Sequence, residues 1–167
     1  MTVIGLDLGH ADVADAEHWL REHAAVLGDP GVVACTHLVR GDRPRVALSV
    51  AGVDPLFLAA DDPIDPAVAS AAAVDHHARR SGRAVVFPGV GALVGTVSVG
   101  DVLARTAIER VMLLGGPAPG IDVLVDTRGF VRPQWRDGLL TLVTTPAPGG
   151  RIAPFEVPHP TPCCGDH

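Results

Sequence analysis

Glycine and proline set the length of every regular segment this chain can form. With 19 Gly and 15 Pro among 167 residues, most apolar runs end at a residue that tolerates positive φ or that lacks a backbone N–H. Gly28 and Pro30 close a helical pattern that starts at a capping Asp12. In it Val13, Ala16, Leu20, Ala24 and Leu27 share one face, flanked by Trp19 and His23. The turn-rich Arg40-Gly41-Asp42-Arg43-Pro44 separates two strand-like runs, Gly31 to Val39 and Arg45 to Val50, whose simplest arrangement is a hairpin. Asp65-Pro66 is the clearest start in the chain, a capping acid followed by proline at the first helical position. That helix is predicted to run through an Ala-rich segment to Arg80 and to end near Gly82.

Strands are expected at Arg83 to Phe87 and Leu93 to Val97. Ser98 and Asp101 resemble a capping box, and from Val102 the residues Leu103, Ala104, Ala107, Ile108, Val111 and Met112 cover half a helical wheel. The spacing predicts a third helix to Leu114, with a strand as the competing reading of this apolar stretch. After Ile121 the signals are strand-like at Ile121 to Val125, Phe130 to Trp135, Leu139 to Thr144 and Arg151 to Val157, with Asp137-Gly138 and Pro148-Gly149-Gly150 as turns. The expected class is therefore α+β, with about three helices, an N-terminal β-hairpin and a C-terminal antiparallel β-meander. One domain is expected over 1–157, followed by an extended Pro/Cys/His-rich segment at 158–167.

What the composition lacks narrows the chemistry. The chain has no Lys, so every cationic side chain is Arg, and neither a pyridoxal Schiff base nor a P-loop lysine is available. Asn and Tyr are absent too, and Gln134 is the one Gln, a bias that points to a GC-rich genome. A formal charge of −6 opposes general nucleic-acid binding, which needs clustered cations. No apolar run is long enough to span a membrane and no signal peptide is legible, so the cytoplasm is the expected compartment. With 47% hydrophobic residues, a homo-oligomer that buries one apolar face is an expected partner arrangement.

The densest cluster of chemically active residues is at the C-terminus, where His159, Cys163, Cys164 and His167 fall within nine residues. Thiolate and imidazole suit Zn or Cu(I), and Cys164-Gly165-Asp166-His167 has C-x-x-H spacing. Cys35 and His37, two apart on a strand and so on one face, are the remote ligands that could complete a tetrahedral site. On this basis the leading expectation is a metal- or thiol-dependent accessory protein that binds, carries or cycles electrons.

The competing expectation is a small-molecule enzyme. Asp75-His76-His77 lies late in the second helix, where one imidazole, His76 or His77, could serve as acid or base. Arg128 and Arg132, near Gly129, could clamp an anionic substrate, with Arg136 next in the series. An interaction domain without any site is a third reading. Separately, the apolar strand Val3-Ile4-Gly5-Leu6-Asp7-Leu8-Gly9 ends in D-x-G. Over seven residues it resembles the first phosphate or metal segment of actin-like ATPases and RNase H-like nucleases. That resemblance implies a metal-binding Asp7 with Asp54, Asp61 or Asp62 as second carboxylate, although a capped helix follows here where those families continue into a second strand.

Overall fold

The structure is a computed structural model that describes residues 2–27, 30–54, 58 and 63–158. Its first half runs β1 (Val3–His10), α1 (Val13–Leu27), β2 (Val33–Val39), β3 (Arg45–Ala51), α2 (Pro66–His77) and β4 (Arg83–Val86). The second half runs β5 (Thr96–Ser98), α3 (Val99–Arg105), β6 (Arg110–Leu113), β7 (Leu124–Asp126), β8 (Gln134–Arg136), β9 (Leu139–Ala147) and β10 (Arg151–Pro154). Three α-helices and a ten-stranded, mostly antiparallel sheet place the described residues in the α+β class. The strand order is β1-β3-β2-β4-β8-β9-β10-β7-β5, with β6 lying parallel to β9.

Alternation along β2 and β4 divides the core. Ala34 and Val85 join Leu6, Leu48, Val50 and the Ala16 and Leu20 face of α1 on one side of the sheet. Cys35 and Ala84 point the other way and join Trp135, Leu140, Leu142 and Val102. α2 lies on this second side, and its small buried face of Ala69 and Ala72 lets it approach β1 closely. The closest approach is at Gly5, where a Cβ would stand 1.8 Å from the Ala69 carbonyl oxygen.

The helix starts follow local chemistry. Asp12 Oδ1 accepts from the Asp15 N–H at 2.9 Å, and Asp65 Oδ1 accepts from the Ala67 and Val68 N–H groups. The ends differ from expectation. α2 stops at His77 rather than Arg80, because Arg79 takes a left-handed φ of 52° and the Arg79 and Arg80 N–H groups fold back to the His76 and Asp75 carbonyls. The third helix starts at the expected Ser98 cap, whose Oγ accepts from the Asp101 N–H, but spans only Val99–Arg105 and does not run to Leu114. Thr106 ends it, with a hydroxyl that donates to the Val102 carbonyl and accepts from the Ile108 N–H. Val111 and Met112 then leave as a parallel strand beside β9.

β2 and β3 pair antiparallel, and β1 adds to β3 and β4 to β2, so the pair is the centre of a four-stranded unit. The C-terminal strands depart from a simple meander. After Ile121, β8, β9 and β10 run antiparallel in succession, whereas β7 lies parallel to β10 and pairs with β5. A β7–β8 turn is ruled out by the path between them. Pro133 has no N–H to give a ladder, and Thr127 instead holds the chain to the Gly95 carbonyl through both its N–H and its hydroxyl.

Candidate functional site

β2 extends past the start of β4. Thr36 is the last β2 residue paired with β4, opposite Arg83, so from His37 onward that edge of β2 has no strand beside it among the described residues. A groove of about 1340 Å³ occupies the gap, with α1 on one wall and α2 on the other. Its lining includes His37 from β2, Asp75 from α2, Glu17 from α1 and Arg132, Gln134 and Glu156 from the C-terminal half.

His37 is fixed from inside the sheet. Ser49 on β3 faces the same side as Cys35 and His37, and its Oγ lies 2.7 Å from His37 Nε2 and 2.8 Å from His76 Nδ1. Ser49 is fully buried and His76 nearly so. Burial pushes His37 down to about 4, with Asp75 partly opposing. It does the same to His76, also to about 4, and there the neighbouring His37, Arg79 and His77 add to the effect. Both rings are therefore neutral near pH 7. Trp135 tilts against His76 with ring centroids 5.9 Å apart.

The opposite end of the groove is an ion-pair network. Glu17 is 5% exposed and accepts from Arg132 Nε at 3.1 Å, from Arg132 Nη2 at 2.6 Å, and from Arg83 and Arg21. Arg83 also pairs with Glu156, and Phe130 lies under the Arg132 guanidinium at 4.2 Å. Burial alone would raise the Glu17 carboxyl, but hydrogen bonds from Arg132 and Arg83 outweigh it and hold the group down at about 2. Around the whole groove stand six arginines (21, 40, 80, 83, 132 and 136) against three carboxylates, in a chain whose net charge is −6. Leu38 and Phe155, 73% and 58% exposed, add an apolar rim.

Of the residues singled out from sequence, His37 and Arg132 line this groove at opposite ends, and His76 reaches His37 only through Ser49. His77 is exposed and lines a second cavity beside His76, and Arg128 sits in an exposed turn at φ 53° outside the groove. Arg132 is not a free clamp, because Glu17 takes its guanidinium. Cys35 is fully buried, and burial pushes its thiol up to about 12 against the opposing Trp135 and Ser49, so without a metal it stays protonated. His159, Cys163, Cys164 and His167 lie outside the described residues, as do Asp61 and Asp62. Among the described residues no three His, Cys, Asp or Glu side chains are grouped to hold a metal. Asp7 is fully buried and accepts from Arg45 Nε at 2.9 Å, and Arg45 in turn reaches the α2 cap Asp65. It is a structural tie between β1 and α2.

Sequence reasoning missed Ser49, Glu17, Arg83 and Glu156. Two of these had a signal. Glu17 falls on the Val13, Ala16 and Leu20 face of α1, where an acid needs a buried cation, and Ser49 is the lone hydroxyl inside the apolar run Val46 to Ala51. Among the described residues no helix is long and apolar enough to cross a membrane. No known family, curated protein or solved structure matches this chain.

Proposed function

We propose that the chain is a small-molecule enzyme whose groove captures an organic anion and whose His37 moves a proton to or from it. One observation carries this reading: a neutral imidazole, held from behind by Ser49, stands on the wall of a groove where arginines outnumber carboxylates two to one. An excess of cations in a net-acidic molecule concentrates anions locally, and the apolar rim of Leu38 and Phe155 suits a carbon skeleton over a bare inorganic ion. A neutral His at pH 7 is ready to act as a base, and the imidazolium that forms becomes the acid for the return step. Arg136, which is exposed, is the cation best placed to meet a ligand, with Arg80 also exposed but shared with Asp75, while Arg83 and Arg132 hold the frame through Glu17 and Glu156.

The test is a binding screen by NMR with succinate, citrate, benzoate and inorganic phosphate. An organic acid is expected to perturb the His37 ring and the amides of Thr36 to Arg40, to weaken with added salt, and to bind several-fold more weakly to Arg80→Gln and Arg136→Gln chains. If none of the four binds at millimolar concentration, the groove is not an anion site. The alternative is Zn or Cu(I) carriage by Cys163, Cys164, His159 and His167 with His37. It has one support, that Pro158, next to that segment, lines the same groove. Elemental analysis of protein purified under reducing conditions, wild type against Cys163→Ser/Cys164→Ser, is the measurement that would favour it.

A further inference from the structure

Ser49 stands between two separate cavities. His37 lines the groove, and His76 lines a second cavity of about 720 Å³, together with His77, Arg79, Glu109, Leu103 and Ala107. Each ring spends one nitrogen on the same hydroxyl, His37 its Nε2 and His76 its Nδ1, and among the described residues each has its other nitrogen left over. We propose that His37, Ser49 and His76 form a proton relay that joins the two cavities, so that protons exchanged with a ligand in the groove enter and leave through the second cavity.

The hydroxyl has one proton to give, which fixes how the relay works. When both rings are neutral, one satisfied arrangement has His37 Nε2–H donating to Ser49 and Ser49 donating to His76 Nδ1. His76 then carries its proton on Nε2. The other arrangement is the reverse, with His76 Nδ1–H donating to Ser49, Ser49 donating to His37 Nε2, and His37 carrying its proton on Nδ1. A proton that arrives at His37 Nδ1 converts the first arrangement into the second. The Nε2–H bond of His37 breaks as a bond to Ser49 Oγ forms, the Ser49 O–H proton passes to His76 Nδ1, and the Nε2 proton of His76 leaves to water. Returning a proton from His37 Nδ1 to the ligand reverses each step, so a cycle that takes and gives back one proton resets the line. Burying either imidazolium alone is costly, and a relay lets the charge pass without resting on the inner ring. The charged and titratable groups facing His37 are Asp75 and His76, and those facing His76 are His37, Arg79 and His77. Only Asp75 among them favours a cation, and it is itself tied to Arg80 and Ser81.

The relay rests on the groove reading for its purpose and not for its geometry, so the two fail separately. The experiment is long-range proton–nitrogen correlation of the histidine rings in the full ¹⁵N-labelled chain at neutral pH. Matched tautomers are expected in the wild type, both rings Nε2–H or both Nδ1–H. A mixed pair, one ring of each kind, would overturn the relay whatever any variant does. In Ser49→Ala the match should be lost and the two rings should titrate independently. A match that persists without the hydroxyl also overturns it. Ala107→Leu, which narrows the second cavity at a position outside the relay, should slow proton exchange between His76 and water several-fold, and unchanged exchange would remove the outlet. Arg136→Gln tests the anion site and should leave the tautomers as they are.

Discussion

Gly82 is the seat of the His37 ring. A Cβ there would lie 2.9 Å from His37 Cε1 and 3.2 Å from the Cys35 Cβ, at a φ of 126° that side chains rarely adopt. Gly82→Ala is expected to cost about 1–3 kcal/mol and to pull His37 away from Ser49. Denaturant unfolding and the His37 ring resonances check both effects, and a chain with neither change would mean that the ring is not seated there. Glu17 is the other decisive single residue. Glu17→Gln keeps the shape but leaves Arg83 and Arg132 short of a counter-charge, so a loss of about 3–5 kcal/mol is expected. Glu17→Leu with Arg132→Leu removes that pair at both ends and should recover part of the loss. If the double variant is less stable than the single one, packing and not charge holds α1 to the C-terminal half.

Between elements, the contact of α2 with β1 depends on the absence of one side chain. Gly5→Ala would drive a methyl into the Ala69 carbonyl, 1.8 Å from its ideal position, and backbone cannot swing aside as a flexible side chain does. The helix must lift, which separates His76 from Ser49. A destabilisation of about 3 kcal/mol or more is expected, together with loss of the His76 and Ser49 hydrogen bond. Thermal unfolding and the His76 ring shift would show it, and wild-type values for both would mean that α2 docks some other way. Helix starts were legible because a cap is local chemistry, as at Asp12 and Asp65. Ends were less so, because Arg79 after α2 and Thr106 after α3 stop their helices through contacts of the next few residues that apolar periodicity does not encode.

Across the whole molecule, stability should fall in two acid steps. His37 and His76 bind protons more readily unfolded, with an ordinary value of 6.5, than folded at about 4. The stability they represent is therefore complete above about pH 6.5 and is lost as pH falls from there through about 4. Glu17 has an ordinary value of 4.5 and a folded value of about 2, so its share is present above about pH 4.5 and disappears as pH falls toward 2. Denaturant midpoints from pH 8 down to pH 2.5 should trace both steps. His76→Gln should shrink the upper step and Glu17→Gln the lower. A single loss confined to one window would contradict separate origins in the histidine pair and the Glu17 network.

The sequence by itself determined the α+β class, the starts of α1 and α2, most strand positions and the absence of lysine chemistry, because these follow from residue types and spacings within one segment. Folding decided the site. His37, Ser49 and His76 are separated by 12 and 27 residues, and Glu17 and Arg132 by 115. Their meeting depends on strand order and on how closely α2 settles at Gly5. The same long-range pairing placed β7 parallel to β10, where turn signals suggested a simple meander. It also converted Arg132 from a candidate anion clamp into the partner of Glu17, since a buried guanidinium must find a carboxylate and the nearest in space is far away in the chain.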